Sequence, residues 1–217
     1  PTAPAEFSDV LIIGGGGREH AIGWKLAPAK RCGQLYFAPG NAGTATLGQN
    51  VDLPISPVDT RCADQIEYFC RQKHVGLIVI GPEDPLAQGL VDRLQETTYG
   101  RQGGLIFGPT QAAAQLESDK AYAKQLMRAC AIPTAEYKSF SDYEAAVSYV
   151  ENRETPVVVK ASGLAKGKGA IVCDDAQQAS DAVKRCMKDR EFGDAGETVV
   201  IEERLVGQEV SIMAMVD

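Results

Sequence analysis

The segment that most limits what this chain can become is Val157-Val-Val-Lys-Ala-Ser-Gly-Leu-Ala-Lys-Gly-Lys-Gly169, where three β-branched valines run into a loop broken by glycines and charged by lysines. A buried strand ending at Lys160 holds that ammonium group at a fixed depth. Gly163, Gly167 and Gly169 permit positive φ and let backbone N–H groups approach an anion, while Lys166 and Lys168 add charge. The spacing is not that of a P-loop, because Gly169 stands where that motif needs Ser or Thr after its Gly-Lys pair. Ala170-Ile-Val-Cys173 resumes a β pattern at once, so the loop joins two strands rather than opening a helix. The expected object is a hinged hairpin folding over a nucleotide phosphate; a lysine-tipped turn on a solvated surface is the alternative.

Composition narrows the partners. The chain has 217 residues, 44% of them hydrophobic, which is ample for buried cores. Asp and Glu total 29 against 22 Lys and Arg, a formal charge of -7, so no global basic field exists to hold nucleic acid or an anionic membrane, and any phosphate site must be local. Cys32, Cys62, Cys70, Cys130, Cys173 and Cys186 form no C-x-x-C pair and only two histidines are present, so the expectation is reduced thiols in a soluble, cytoplasmic protein without zinc or a disulfide framework. The longest apolar runs fall far short of the roughly 20 residues of a membrane span, and Pro1 to Ser8 lack the regions of a signal peptide. A chain that opens on Pro1 reads as one with a trimmed start.

The first half alternates strand and helix signals, the mark of a parallel sheet. Val10-Leu-Ile-Ile-Gly-Gly-Gly-Gly-Arg-Glu-His20 is a strand, a glycine-rich turn and a helix opening, the place where a Rossmann-like unit offers N–H groups to phosphate. It misses G-x-G-x-x-G because Glu19 occupies the third glycine position; a plain tight turn is the competing reading. Strands are expected at 34–38, 75–80 and 105–107 and helices at 61–73 and 86–96, with the loops Pro39-Gly-Asn-Ala-Gly-Thr44 and Gly81-Pro-Glu-Asp-Pro-Leu86 at strand ends. Gly108-Pro109 punctuates the end of this first domain, 1–109.

In the second domain, 110–217, helices are expected at 112–116 and 120–130, a strand at 136–140, and a capping box, Ser141-Asp-Tyr-Glu144, opening a helix to Glu151 whose core face is Ala145, Ala146, Val147 and Val150. With the hairpin and a helix at 176–188 these make a small α+β lobe at about 136–191, expected to be mobile over its nucleotide. Thr198-Val-Val-Ile-Glu-Glu-Arg-Leu-Val-Gly-Gln-Glu-Val-Ser-Ile212 is a buried strand, an acidic hinge and a strand restarting after Gly207, with Val210 to Val216 as its extent.

The hairpin and the acidic hinge together resemble the ATP-grasp fold. The whole run from Val10 to Asp217 is similar to the glycinamide ribonucleotide synthetase (phosphoribosylamine–glycine ligase) family within it. The resemblance is carried by Gly-Gly-Arg-Glu-His20, the two loops just quoted, Phe107-Gly-Pro-Thr110, Ala114-Gln-Leu-Glu-Ser-Asp-Lys120, Ile132-Pro-Thr-Ala135, the Lys160 to Gly169 segment, Phe192-Gly-Asp-Ala-Gly196 and Ile201-Glu-Glu203. It implies an α/β protein: a Rossmann-like parallel-sheet N-terminal domain followed by the first part of an ATP-grasp domain. It also implies the reaction ATP plus glycine plus 5-phosphoribosylamine giving ADP, phosphate and glycinamide ribonucleotide through a glycyl phosphate.

By the same resemblance Lys120, Lys160, Ser162, Gly163, Lys166, Gly167, Lys168 and Gly169 meet the nucleotide phosphates, Glu202, Glu203, Arg204 and Leu205 the adenine, and Glu209 the ribose. Gly15, Gly16, Gly17, Arg18, Glu19, Asn41, Gly43, Thr44, Glu83 and Pro85 face the phosphoribosylamine. Lys166 departs from the family, which has a small residue there. Magnesium is the implied companion of ATP, with its ligands expected beyond residue 217, so that this chain alone is expected not to complete the reaction. Further purine-pathway domains can share the polypeptide. Another ATP-grasp ligase or carboxylase and a non-catalytic nucleotide-binding module are the competing readings.

Overall fold

A computed structural model describes residues 8–165 and 167–214; Lys166 and the last expected strand residues, 215 and 216, lie outside it. The chain divides into two compact units, the first ending at Ser118 and the second beginning at Asp119.

The first unit contains β1 (Ser8–Gly14), α1 (Gly17–Leu26), β2 (Cys32–Pro39), β3 (Gln49–Asn50), α2 (Cys62–Lys73), β4 (Val75–Ile80), α3 (Glu83–Ala87), α4 (Leu90–Glu96), α5 (Thr98–Arg101), β5 (Leu105–Phe107) and α6 (Gln111–Ser118). Its strands lie in the order β3-β2-β1-β4-β5, and every pairing is parallel. Crossover connections put helices on both faces, so the central strand is apolar from Val10 to Ile13 rather than alternating: Leu11, Ile12 and Ile13 are all 0% exposed. The period of two still sorts them. Leu11 and Ile13 pack with Ile78, Ile80, Ile66, Cys70, Leu90 and Leu94 on one face; Val10 and Ile12 pack with Leu35, Phe37 and Val79 on the other, against Ile22 and Leu26 of α1. Two expectations change. The helix expected over 86–96 is two, α3 and α4, because Gly89 takes φ +82 between them. The first unit also runs past Pro109, because the Gln111 N–H donates to Asp92 at 2.7 Å and its side chain to the Ala87 carbonyl at 3.1 Å, fastening α6 to this unit. Among the described residues no helix is long and apolar enough to cross a membrane.

The second unit contains α7 (Lys120–Ala129), β6 (Tyr137–Phe140), α8 (Tyr143–Glu151), β7 (Val157–Ala161), β8 (Ala170–Cys173), α9 (Ala176–Met187) and β9 (Val199–Glu203). Its antiparallel sheet has the order β6-β9-β7-β8. The expected hairpin forms, with Val157 opposite Cys173 and Lys160 opposite Ala170. Since β9 lies between β6 and β7, the α+β lobe extends to Glu203 rather than closing near residue 191. Helices α8 and α9 cover one face, burying Ala146, Val150, Ala179, Val183 and Cys186 on Val157, Val159, Val199 and Ile201.

Asp142, not Ser141, caps α8, accepting from the Ala145 N–H at 2.8 Å, and Ala145 lies on the exposed side while Ala146 and Val150 face the core. The strand expected after Gly207 is not formed over residues 207–214: Val210, Ile212 and Met213 are 76%, 90% and 92% exposed, and no described strand pairs with them to hold an extended backbone.

A Cβ placed on Gly23 would sit 2.5 Å from Phe37 Cζ and 3.5 Å from Ile12 Cδ1, so this glycine sets how closely α1 lies on the sheet. Gly23→Ala gains about 1 kcal/mol of helix propensity, but overpacking against a ring with no exposed surface costs about 1–3 kcal/mol. The expected outcome is a net loss, read as a lower urea midpoint of the first unit; an unchanged or raised midpoint contradicts the packing argument.

Candidate functional site

Parallel strands deliver their carboxyl ends to one edge, and in the first unit the loops after β1, β2 and β4 meet there. Gly14, at φ +123, turns the chain out of β1, and a Cβ on Gly15 would lie 2.7 Å from the Gly40 carbonyl, so only glycine lets these two loops touch. Glu19 stands where a dinucleotide fingerprint has its third glycine. Its side chain is 3% exposed and turns inward to accept from the Gly16 N–H at 2.6 Å. The role of the missing glycine, close approach of helix to sheet, passes to Gly23 one turn later. Glu19 therefore shapes the turn with its carboxylate. The N–H groups of Gly17 and Arg18, in the first turn of a ten-residue helix, have no carbonyl within the helix to bond, and both residues are exposed.

The loop after β2 is held by its own side chains. Asn41 accepts from the N–H groups of Gly43 at 2.7 Å and Thr44 at 3.0 Å, and its amide donates to the Gly15 carbonyl at 2.9 Å. Thr44, 0% exposed, accepts from the Asn41 N–H and donates to Asn50 Oδ1, both at 2.7 Å, and the Asn50 amide donates to the Asn41 carbonyl at 2.7 Å. Asn41 and Thr44 are thus spent on loop shape, and Asn50 is a member of the cluster that sequence reasoning missed. Nothing local marks it, because β3 is two residues long and carries no periodic signal.

Arg18 donates from Nη1 to the Gly81 carbonyl at 2.6 Å and to Glu83 at 2.9 Å, tying the β1 loop to the β4 loop. The shared hydrogen bond raises the Arg18 guanidinium and holds the Glu83 carboxyl below its ordinary range. Both side chains are well exposed, so the pair is worth no more than about 1 kcal/mol and acts by orientation. They open onto a cleft of about 300 Å³ completed by Leu86, Pro109, Ala114, Glu117 and Ser118, the last four of which belong to motifs quoted above but were not expected at the site. Pro85 is buried within α3. A helix N-terminus beside a cation and two carboxylates suits a small molecule with a phosphate at one end and an amine at the other.

In the second unit β7 and β9 lie side by side and place Lys160 next to Glu202. Lys160 Nζ donates to Glu202 Oε2 at 2.8 Å, and Lys124 Nζ lies 3.2 Å from Oε1, a charge contact without hydrogen-bond alignment. Glu202 is 5% exposed. Its carboxylate, expected on the adenine, is turned inward between two ammonium groups. Glu203 accepts from the Glu136 N–H at 2.9 Å and Arg204 pairs with Asp174, so both side chains are engaged within the protein, with Leu205 and Glu209 exposed beyond them.

Ser162 accepts from the Ala121 N–H at 2.9 Å and donates to Asp119 at 2.8 Å, while Lys120 donates from Nζ to the Gly163 carbonyl at 3.0 Å. These bonds clamp the start of α7 to the end of β7, so Lys120 and Lys160 flank one loop. Gly163 would meet the Ala195 backbone with a Cβ at 2.7 Å, and Gly169, buried, would meet Ala165 at 2.5 Å. Gly167, at φ +76 with open space around it, and exposed Lys168 form the free tip. Lys166 lies outside the described residues.

Comparison with known proteins divides the chain within one residue of the same place. The profile of "Phosphoribosylglycinamide synthetase, N domain" matches residues 8–117, and that of "Phosphoribosylglycinamide synthetase, ATP-grasp (A) domain" matches residues 118–217. The trifunctional purine biosynthetic protein adenosine-3 of Gallus gallus is 48% identical over 209 residues, covering 96% of this chain and 20% of its own length. The phosphoribosylamine–glycine ligase of Haemophilus influenzae is 46% identical over 209 residues, covering 96% of this chain and 47% of its own. The crystal structure of the Thermotoga maritima phosphoribosylamine–glycine ligase superposes with a TM-score of 0.69 at 29% identity, over 92% of this chain and 44% of that one. The chain therefore spans about half the length of the bacterial ligases it matches.

The depressed Glu83 carboxyl is a test of the cleft. In Arg18→Ala its titration, followed by NMR, should move up towards the ordinary carboxylate range. In the wild type the small stabilisation from the pair is present at neutral pH and is lost as pH falls through the lowered value. A Glu83 titration unaffected by removal of Arg18 rejects the pairing.

Proposed function

The chain belongs to the phosphoribosylglycinamide synthetase family, and from that premise we propose that it serves the ATP-dependent ligation of glycine to 5-phosphoribosylamine. In this reaction the glycine carboxylate attacks the γ-phosphorus of ATP and ADP leaves. The amine of phosphoribosylamine then attacks the carbonyl of the glycyl phosphate, losing a proton as phosphate departs, to give glycinamide ribonucleotide. One observation above all supports this reading: each unit carries a receptor suited to a phosphate, and the receptors differ in kind.

In the first unit the N–H groups of Gly17 and Arg18 at the start of α1 would take the sugar phosphate, with Gly15, Gly16 and Gly43 letting the backbone come close. Glu83 would meet the amine. Glu19, Asn41 and Thr44 would act by holding these loops in shape.

In the second unit Lys120 and Lys160 would lie on the triphosphate. Preorganised cations there stabilise charge on a transferring phosphoryl group. The 163–169 loop would close over it and keep water from an acyl phosphate that water would hydrolyse. The adenine would lie along the hinge backbone from Glu202 to Leu205, and Glu209 would reach the ribose. Magnesium is expected with ATP, but among the described residues no group of three His, Cys, Asp or Glu side chains gathers to hold a metal, and the carboxylates of Glu202 and Glu203 are already engaged. The phosphates themselves supply hard oxygen ligands of the kind this ion takes. A cytoplasmic location and, by likeness to the trifunctional chicken relative, further purine-pathway domains in the same polypeptide belong to the same proposal.

ADP release that depends on both glycine and 5-phosphoribosylamine tests the reaction; release indifferent to glycine rejects it. Lys160→Ala tests the nucleotide end. It removes a charge-assisted partner worth about 1.5–3 kcal/mol, so calorimetry should show ADP affinity about 10- to 150-fold weaker. Unchanged affinity removes Lys160 from the site.

A further inference from the structure

Helix α7 buries an unexpected residue. Its inward face is Ala121 and Lys124, while apolar Leu126 remains 36% exposed. Lysine is seldom buried without a reason, and a helix that carries a leucine at its surface and a lysine at 6% exposure has not been arranged for packing alone. Lys124 is fully anchored: Nζ lies 2.7 Å from Thr134 Oγ1, 3.4 Å from the Ala135 carbonyl and 3.2 Å from Glu202 Oε1, with the Tyr137 ring centroid at 5.6 Å. Lys160 is the opposite case. Its side chain is 29% exposed, its ammonium group donates to Glu202 Oε2 at 2.8 Å, and it stands at the end of β7 where the loop begins.

We propose that Lys124 is a positioning residue for the nucleotide site, a resident counter-ion that keeps Glu202 paired so that Lys160 can leave it for a phosphate. The inference rests on the nucleotide reading of Lys160. Its logic is electrostatic. Lys160 bound to Glu202 is parked, and to serve a phosphate it must turn away from a carboxylate that has almost no access to water. A buried carboxylate stripped of its only cation is strongly disfavoured, and that penalty would be charged against every nucleotide bound. With Lys124 in place the carboxylate retains a cation after Lys160 departs, and the three groups together carry a net positive charge towards the loop. The same arrangement limits the unliganded protein: Glu202 holds Lys160 at one depth and in one direction, so the ammonium is stored rather than waving in solvent.

Calorimetric titrations with ADP, and with inorganic triphosphate as a probe that lacks adenine, distinguish this from a purely structural lysine. Lys124→Met should weaken both by about tenfold or more, because Lys160 then becomes the sole partner of Glu202. Adding Glu202→Gln to Lys124→Met removes the carboxylate that restrains Lys160, and the double variant should regain wild-type affinity for triphosphate. If Lys124→Met fails to fold, the double variant, with no buried charge left at the position, carries the test by itself. Wild-type affinity in Lys124→Met, or a double variant as weak as the single or about tenfold weaker than wild type, overturns the inference. If the wild-type protein binds neither ligand, the nucleotide reading fails and this inference falls with it.

Discussion

A parallel sheet cannot be closed by tight turns, and most of the first unit follows from that constraint. Every strand from β1 to β4 must be followed by a crossover, so all carboxyl ends arrive at one edge and all connections returning to the other edge run through helices or long loops. Three loops then have to share a small area, which explains why glycines stand at Gly14, Gly15 and Gly40 and why a Cβ at Gly15 would meet the Gly40 carbonyl. Crowding also leaves many polar atoms to satisfy. Glu19, Asn41, Thr44 and Asn50 answer the loops' own N–H and carbonyl groups, and what remains outward, the first turn of α1 and the Arg18–Glu83 pair, is what a ligand can use.

The second unit is organised by a different necessity. Its sheet brings Glu202 and Lys160 onto adjacent strands, and the burial of Glu202 demands cations. Two lysines from different elements meet that demand with unequal freedom, Lys124 held on every side and Lys160 at the lip of the loop. Phosphate chemistry needs a cation that is positioned yet available, and an ion pair with a second, fixed partner provides both.

The family profiles meet between residues 117 and 118, one residue before the point where the chain's contacts divide it. Likeness in sequence does not say which carboxylates are available; the fold engages Glu19, Glu202 and Glu203 within the protein and leaves Glu83, paired with Arg18, on the cleft.

Local chemistry was readable from the chain alone. The strands β1, β4 and β7, the β7–β8 hairpin and the alternation that makes the first sheet parallel are written in runs of β-branched residues and in glycine, because these act through the backbone of the residues that carry them. The family resemblance was legible for the same reason, in contiguous motifs such as Lys160 to Gly169. Competition between neighbours could not be read locally: Asp142 rather than Ser141 as the α8 cap, the break at Gly89, and the attachment of residues 110–118 to the first unit. The strand expected after Gly207 shows the limit most plainly, since β pattern is a property of residues whereas a strand is a property of pairs. Which side chains face a ligand was decided by the tertiary structure. Glu19 and Glu202 look like site carboxylates in one dimension, but a buried charge or an unbonded N–H must be satisfied by whatever lies nearest in space: Glu19 turns back on the Gly16 N–H, and folding brings Lys124 to Glu202 and Asn50 to Asn41 and Thr44.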